Sequence, residues 1–481
     1  MQSVETFIIG SGMGSLAAAA WLSAEGREVM VTEQNYLPGG CTSSYFRKGF
    51  IFEAGATTLV GLDKGMPVDL LLQKTGIQLP AIKLDLPMQV KMADGAILNR
   101  YENLEKWIEE AELHFGENGQ RVFWERCYQI SRFVWSVSGK QLHFPPDRLT
   151  DFWQMLLNFN PVQLKFAMNA FTTVQDLLNQ TGLAENQRFV DFVNQQLMIT
   201  AQNKAHEVNL LFGATALCYT NFGNYYMPGG LINLVKPFVE YIQSRGNGYE
   251  NRTQVLEIQR QDDLFLITTN KGHFKANNII SGIPVNNLLE LFPELNENKR
   301  LRSKIMESDQ LNGAFTMGFG VKGKVPVGAI HRQLHHSGIG LKGSESVFIS
   351  YSHPSDLTRA PAGHYVASVS THVHNPSEHV INKEAIAEKI TNFLQQNNCF
   401  EDGEVVYEHA STPATWQDWT LRKFGFVGGY PQYRSIKPWQ MISSRAAKGV
   451  YLCGDSVYPG QGIPGVTLNG IIAAKKLLAD L

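Results

Sequence analysis

Charge of one sign is the first thing missing: 42 Lys and Arg stand against 44 Asp and Glu, a net charge of -2. Without a basic excess there is no electrostatic case for nucleic acid as a partner. Paired cysteines are missing too. Cys41, Cys127, Cys218, Cys399 and Cys453 are odd in number and lack metal-ligand spacing, so a reduced, cytoplasmic setting is expected instead of a disulfide framework. No run of 18 apolar residues occurs, and no spanning helix is expected. A strand-like run begins by the sixth residue, which leaves no room for a cleavable signal peptide on this reading. Internal repeats, low-complexity segments, a nucleophile motif and a paired carboxylate are all absent. His372 and His374 share one face of a strand-like run, but no third ligand accompanies them, so no metal is expected.

What is present lies mostly at the two ends of a 481-residue chain, long enough for two or three domains. Thr6-Phe7-Ile8-Ile9 is a short β-branched apolar run, followed by Gly10-Ser11-Gly12-Met13-Gly14-Ser15 and an alanine-rich helix pattern. This is the strand, turn and helix context of a dinucleotide fingerprint. Gly10 permits the tight turn, Gly12 lets the backbone approach a pyrophosphate, and the third site must be small for the helix to pack. Ser15 stands at that third site, with Gly14 beside it. Glu33 ends the second predicted strand, where a carboxylate accepts hydrogen bonds from a ribose and repels the 2′-phosphate of NADP. A lone glycine motif is weak, and a glutamate after a strand is common.

The C-terminus is more specific. Gly449 to Cys453 reads as a strand, Gly454-Asp455-Ser456 follows at its carboxyl end, and a glycine-rich turn leads into a helix over Thr467 to Leu481. Ligands of open α/β sheets bind at that end of the strands. Asp455 there suits ribityl or ribose hydroxyls, or serves only as a helix N-terminal acid. Gly465, at the helix start, is expected to bring backbone close to a ring without a Cβ in the way. Between the ends, Gly39-Gly40, Gly49 to Thr57, a helix over Leu231 to Arg245 and strands near 254–258, 264–269 and 276–282 read as parts of one interrupted sheet.

In this combination the chain resembles the FAD-dependent phytoene desaturase and carotenoid isomerase family, nearly end to end. The motifs that carry the likeness are the glycine turn, Pro38-Gly39-Gly40, Gly49-Phe50-x-Phe52-Glu53-x-Gly55-Ala56-Thr57, the Pro228-Gly229-Gly230 helix and Gly454-Asp455-Ser456-x-x-Pro459-Gly460-Gln461-Gly462-Ile463-Pro464-Gly465. The resemblance implies a Rossmann-like α/β FAD-binding domain, discontinuous in sequence (1–62, 225–297 and 441–481), and an inserted α+β substrate domain (63–224 and 298–440). It implies FAD held by Gly10, Gly12, Gly14, Ser15, Glu33, Gly39, Gly40, Val255, Gly454, Asp455, Gly465 and Val466, with Val255 at the adenine through its backbone. It implies a carotenoid or related isoprenoid polyene as substrate, altered by desaturation, saturation or cis–trans isomerisation, with the electron acceptor open. Many bacterial desaturases carry arginine after the glycine pair; Cys41 stands there, and Gly-Gly-Cys-Thr looks more like carotenoid isomerases and retinol saturases. A flavin amine oxidase and a non-enzymatic prenyl-protein escort share the same scaffold and remain the alternatives.

No catalytic acid or base is named; His206 and Tyr226 are conceivable, and each is more often structural. Ten large aromatics between Phe123 and Phe171 are expected to be mostly core. The charge-poor stretch Phe152 to Met168 reads either as a peripheral membrane contact or as a buried helical wall of a tunnel. Strands over 314–321, 346–351 and 364–371, with helices on one side, are expected to roof the flavin, with the glycine-rich loop Phe426 to Gln432 near the centre.

Overall fold

The computed structural model describes residues 1–138, 144–157, 166, 168–336, 338–378 and 381–481. Phe7 and Ile8 in the first strand, Gln2–Ile9, are fully buried. Such a strand is covered on both faces, as parallel strands are. It pairs in parallel with Val29–Thr32 on one side and with Gly272–Ser281 on the other. Gly248–Glu250 extends the first side; Leu264–Thr269 and Val255–Gln261 extend the second in antiparallel fashion. Val450–Leu452 then adds in parallel to the last residues of Gly272–Ser281, with Ile279 opposite Val450. The two chain ends therefore flank one central strand.

The first helix, Met13–Ala24, packs between this sheet and the closing helix, Ile463–Asp480. Ala17 to Ala20 are all fully buried, and a Cβ at Gly470 would collide with the Gly14 carbonyl. Small residues on both helices thus set their close approach. Ser15 finds its room elsewhere: a Cβ at Gly282 would collide with the Ser15 hydroxyl, so the glycine at 282 makes space for the serine at the third fingerprint position.

A second, seven-stranded sheet orders its strands as Glu404–Ser411, Asn312–Lys322, His364–His374, Ser346–Tyr351, His331–His335, Met88–Lys91 and Ile97–Arg100. The last two come from within residues 63–224, where no strand stands out in the sequence. Four-residue strands at a sheet edge carry too little alternation to stand out in sequence. Phe315, Met317, Phe319 and Val321 form one apolar face together with Ile386, Ile390 and Leu394 of helix Lys383–Gln396. The other face meets the hairpin Ser44–Arg47 and Phe50–Glu53, where Cβ atoms at Gly318 and Gly320 would run into Phe52 and Phe50. Beyond the hairpin that face is open.

Candidate functional site

One cavity of about 1040 Å³ joins the two sheets. Gly10, Gly12, Gly14, Glu33, Gly39, Gly40, Val255, Gly454, Asp455, Gly465 and Val466 all line it. Ser15 does not; it is buried behind the loop, beside Cys453. Gly10 has φ 82 and Gly39 φ 106, the left-handed region that glycine tolerates. Gly12 has an ordinary φ of -60, and a Cβ there would meet nothing within 4 Å. Its glycine therefore leaves free space on the cavity side.

Two helices begin on this cavity, and neither has a side-chain cap. Gly12 precedes Met13–Ala24 and Gly462 precedes Ile463–Asp480 without a side-chain hydrogen bond to the first turn. Uncapped N–H groups and the positive end of the helix dipole favour an anion or electron-rich acceptor. The contrast is helix Ile232–Ser244, whose entry is satisfied from within: Leu231 N donates to Glu53 at 3.1 Å and Ile232 N to Ser44 Oγ at 3.1 Å. Glu53 also pairs with buried Arg359 at 2.9 Å. The Gly-Phe-x-Phe-Glu motif thus closes off a helix start that the other two leave open.

Glu33 is 7% exposed and accepts from Ser11 N at 2.9 Å and Ser11 Oγ at 2.7 Å, while its other oxygen accepts from Asn35 N at 2.9 Å. The carboxylate therefore fixes the glycine loop as well as facing the cavity. Asp455 is held by Arg422, with Nη1 to Oδ2 at 2.9 Å and Nη2 to Oδ1 at 3.3 Å. The same guanidinium donates to Gly428 O at 2.6 Å and lies 3.9 Å from Cys41 Sγ. Its Nε is buried without a partner among the described residues. A cation thus does stand beside the glycine pair, delivered from residue 422. Burial pushes the Cys41 thiol up to about 11 despite that neighbouring charge, which favours the protonated thiol. Sequence reasoning missed Arg422 because nothing in its local sequence marks it.

Gln461 ties two glycine loops together: it accepts from Gly429 N at 2.9 Å and from Gln202 Nε2 at 2.6 Å. The expected loop at Phe426 to Gln432 is thereby fastened to the turn before the closing helix. Gly465 lines the cavity; it is also buried, and a Cβ there would come within 2.7 Å of Gly460 O, so the chain's own turn needs a glycine here as well. His206 and Tyr226 are not cavity residues; Tyr226 donates to Asp356 at 2.6 Å. Among the described residues no cluster of three or more His, Cys, Asp or Glu is placed to hold a metal.

Of the expected core aromatics, Phe123 and Trp124 are fully buried, while Trp135 lines the cavity. Phe152, Trp153 and Phe171 are 55%, 65% and 59% exposed, which core packing does not explain. Phe159 and most of the stretch from 158 to 167 lie outside the described residues. No described helix is long and apolar enough to cross a membrane.

A glycine turn on a parallel sheet, a carboxylate closing the second strand, and a helix returning from the far end to open on the same cavity define a dinucleotide-binding oxidoreductase, with FAD as the cofactor the donor set fits. The chain belongs to the family described as flavin containing amine oxidoreductase, whose pattern matches residues 16–478. It is 23% identical to prolycopene isomerase 2 of an Oncidium hybrid cultivar, over 100% of this chain and 84% of that protein. It is 21% identical to 4,4′-diapophytoene desaturase (4,4′-diaponeurosporene-forming) of Staphylococcus aureus, over 98% of both. In fold it is similar to a putrescine oxidase bound to putrescine, at a TM-score of 0.66 and 13% identity over 99% of both chains.

Proposed function

We propose that this enzyme acts on a carotenoid or similar isoprenoid polyene that approaches from a membrane surface. The observation that carries this is the lining of the cavity. Besides the glycine loops, the same cavity is walled by Val134, Trp135, Ile199, Phe212, Phe222 and Phe348, an apolar and mostly aromatic arm of that lining. An elongated apolar substrate fits such a wall. FAD, when bound, accepts or returns a hydride equivalent. The chain's residues do the rest: the open helix starts at Gly12 and Gly462 orient the cofactor's acceptors, Glu33 and Arg422 with Asp455 set the charge along it, and the aromatic arm excludes water and aligns the polyene.

The relatives' printed names, an isomerase and a desaturase, point to the same substrate class, and the thiol at Cys41 favours the isomerase side. Phe152, Trp153 and Phe171 are exposed and follow the wall residues Val134 and Trp135 in sequence. Phe133 stacks on Phe166 at 4.5 Å between ring centres, and the next two residues, Val134 and Trp135, face the cavity. Exposed aromatics in a charge-poor stretch suit peripheral membrane contact. Anaerobic incubation of the reduced and the oxidised holoenzyme with a panel of polyenes tests the proposal. Altered geometry with unchanged double-bond number marks isomerisation, and an altered number marks desaturation or saturation. No change in any polyene, combined with turnover of a polyamine, would replace this reading with the amine-oxidase one.

A further inference from the structure

The open face of the second sheet is polar in a way the fold does not use. Phe348, Ser370, Thr316 and Ser411 are opposite one another across four adjacent strands, and His372 sits one step along, opposite Ala314. All six line the cavity. The opposite face of the same strands is wholly apolar at Phe315, Met317 and Phe319. Among the described residues the side chains of Thr316, Ser370, His372 and Ser411 have no hydrogen-bond partner. Their neighbours show that the protein satisfies such groups where it needs to: Ser346 Oγ accepts from Gln333 at 2.8 Å and meets Ser344 Oγ at 2.9 Å. Three hydroxyls and an imidazole left open inside a cavity await a ligand oxygen or water. A pure hydrocarbon would cover them without a partner, which is unfavourable for each group.

We propose that the sheet face around His372 is an end-group subsite, and that the substrate is an oxygenated polyene whose hydroxyl or carbonyl oxygen is bound by His372 with Ser370 and Thr316. This rests on the polyene reading above and narrows it. Burial holds the imidazole neutral, its pKa pushed down to about 4. A neutral ring offers one N–H donor and one acceptor nitrogen, and the hydroxyls beside it do the same, which matches an un-ionised alcohol or carbonyl better than a carboxylate. A site built to hydrogen-bond an oxygen rejects the analogue lacking it far more sharply than an apolar wall rejects an extra methylene.

The test uses the holoenzyme with β-carotene and its dihydroxylated counterpart zeaxanthin, each supplied in detergent micelles. Pigment retained per protein is measured after gel filtration, and flavin content is measured alongside as the folding check. The wild type is expected to retain zeaxanthin at least about tenfold better than β-carotene. His372→Phe should erase that preference while still retaining polyene, and His372→Gln, which keeps an N–H donor, should preserve much of it. Equal or better retention of β-carotene by the wild type would overturn the subsite and leave the polyene reading standing. An unchanged preference in flavin-replete His372→Phe would overturn the role of His372. Retention of neither pigment would overturn both the subsite and the polyene reading beneath it.

Discussion

At the scale of single residues, the ion pair between Arg422 and Asp455 is the most consequential contact that the local sequence does not announce. Both side chains are largely buried, at 8% and 15% exposure. Burial alone would lower the arginine's pKa, but the Asp455 carboxylate more than offsets this and raises it. Removing one partner of such a pair strands the other charge, at a cost of roughly 3–5 kcal/mol. Arg422→Met should therefore destabilise strongly, whereas Arg422→Met combined with Asp455→Leu should recover part of the loss. Urea unfolding of the two single variants and the double gives the coupling directly. Strictly additive losses would mean that the pair is not coupled in the folded state. Gly10, Gly12 and Glu33 were legible because each fingerprint position has its own steric or electrostatic reason. Arg422 was not, since its partners lie 33 residues away in Asp455 and far upstream in Cys41.

Elements show why two glycines with the same motif status behave differently. Gly12 has φ -60 and open space where a Cβ would go. Gly465 has Gly460 O at 2.7 Å from that position. Gly12→Ala should fold with a stability change within about 0.5 kcal/mol yet lose most of its flavin, because the methyl group enters the space a pyrophosphate needs. Gly465→Ala should instead lose about 1–3 kcal/mol through overpacking against backbone. Thermal unfolding of the apoproteins, set beside the flavin-to-protein absorbance ratio of the purified holoproteins, separates the two. A Gly12→Ala protein that keeps full flavin would remove the first helix start from the cofactor site. Long elements with clear periodicity, such as the first helix and the strand Ser346–Tyr351, were visible in sequence. The short strands Met88–Lys91 and Ile97–Arg100 were not, because this hairpin of four-residue strands is held in the sheet by pairing of Met88–Lys91 with a strand more than two hundred residues on, at Arg332 to Leu334.

At the scale of the whole molecule, buried histidines of the second sheet shape how the fold meets acid. His331 is 1% exposed within the second sheet, with Nδ1 2.8 Å from Ser350 Oγ. Burial, then the charge of Arg359, lowers its pKa to about 3, and burial lowers that of His335 to about 4. A histidine whose folded pKa is depressed contributes stability above its unfolded value near 6.5, and that contribution is lost as pH falls towards the folded value. Each contributes a slope of about 1.4 kcal/mol per pH unit in that window. His331→Gln, which keeps a hydrogen-bonding group, should flatten the fall in unfolding free energy between about pH 6 and 4.5 by roughly that slope. An unchanged slope in chemical denaturation would show that His331 is already protonated in the native state.

The exposed apolar side chains are also a matter for the whole molecule, because they come from separate parts of the chain. Trp153 and Phe152 project from helix Leu149–Leu157, and Phe171 packs against Trp439 at 5.5 Å, with the Lys437 ammonium 5.4 Å from the Phe171 ring. Aromatic rings with a cation over one of them suit the boundary between headgroups and acyl chains. With side chains already exposed in the folded protein, Trp153→Ser with Phe171→Ser removes apolar area without opening a core cavity, so unfolding stability should change little. Each large apolar side chain transferred from water is worth roughly 1.5–3 kcal/mol, so the double variant should lose at least about tenfold in liposome affinity while retaining flavin and its action on polyenes presented in detergent. Undiminished co-sedimentation with liposomes would place the membrane contact on another surface, and lost activity in detergent would mean that these rings serve the cavity instead.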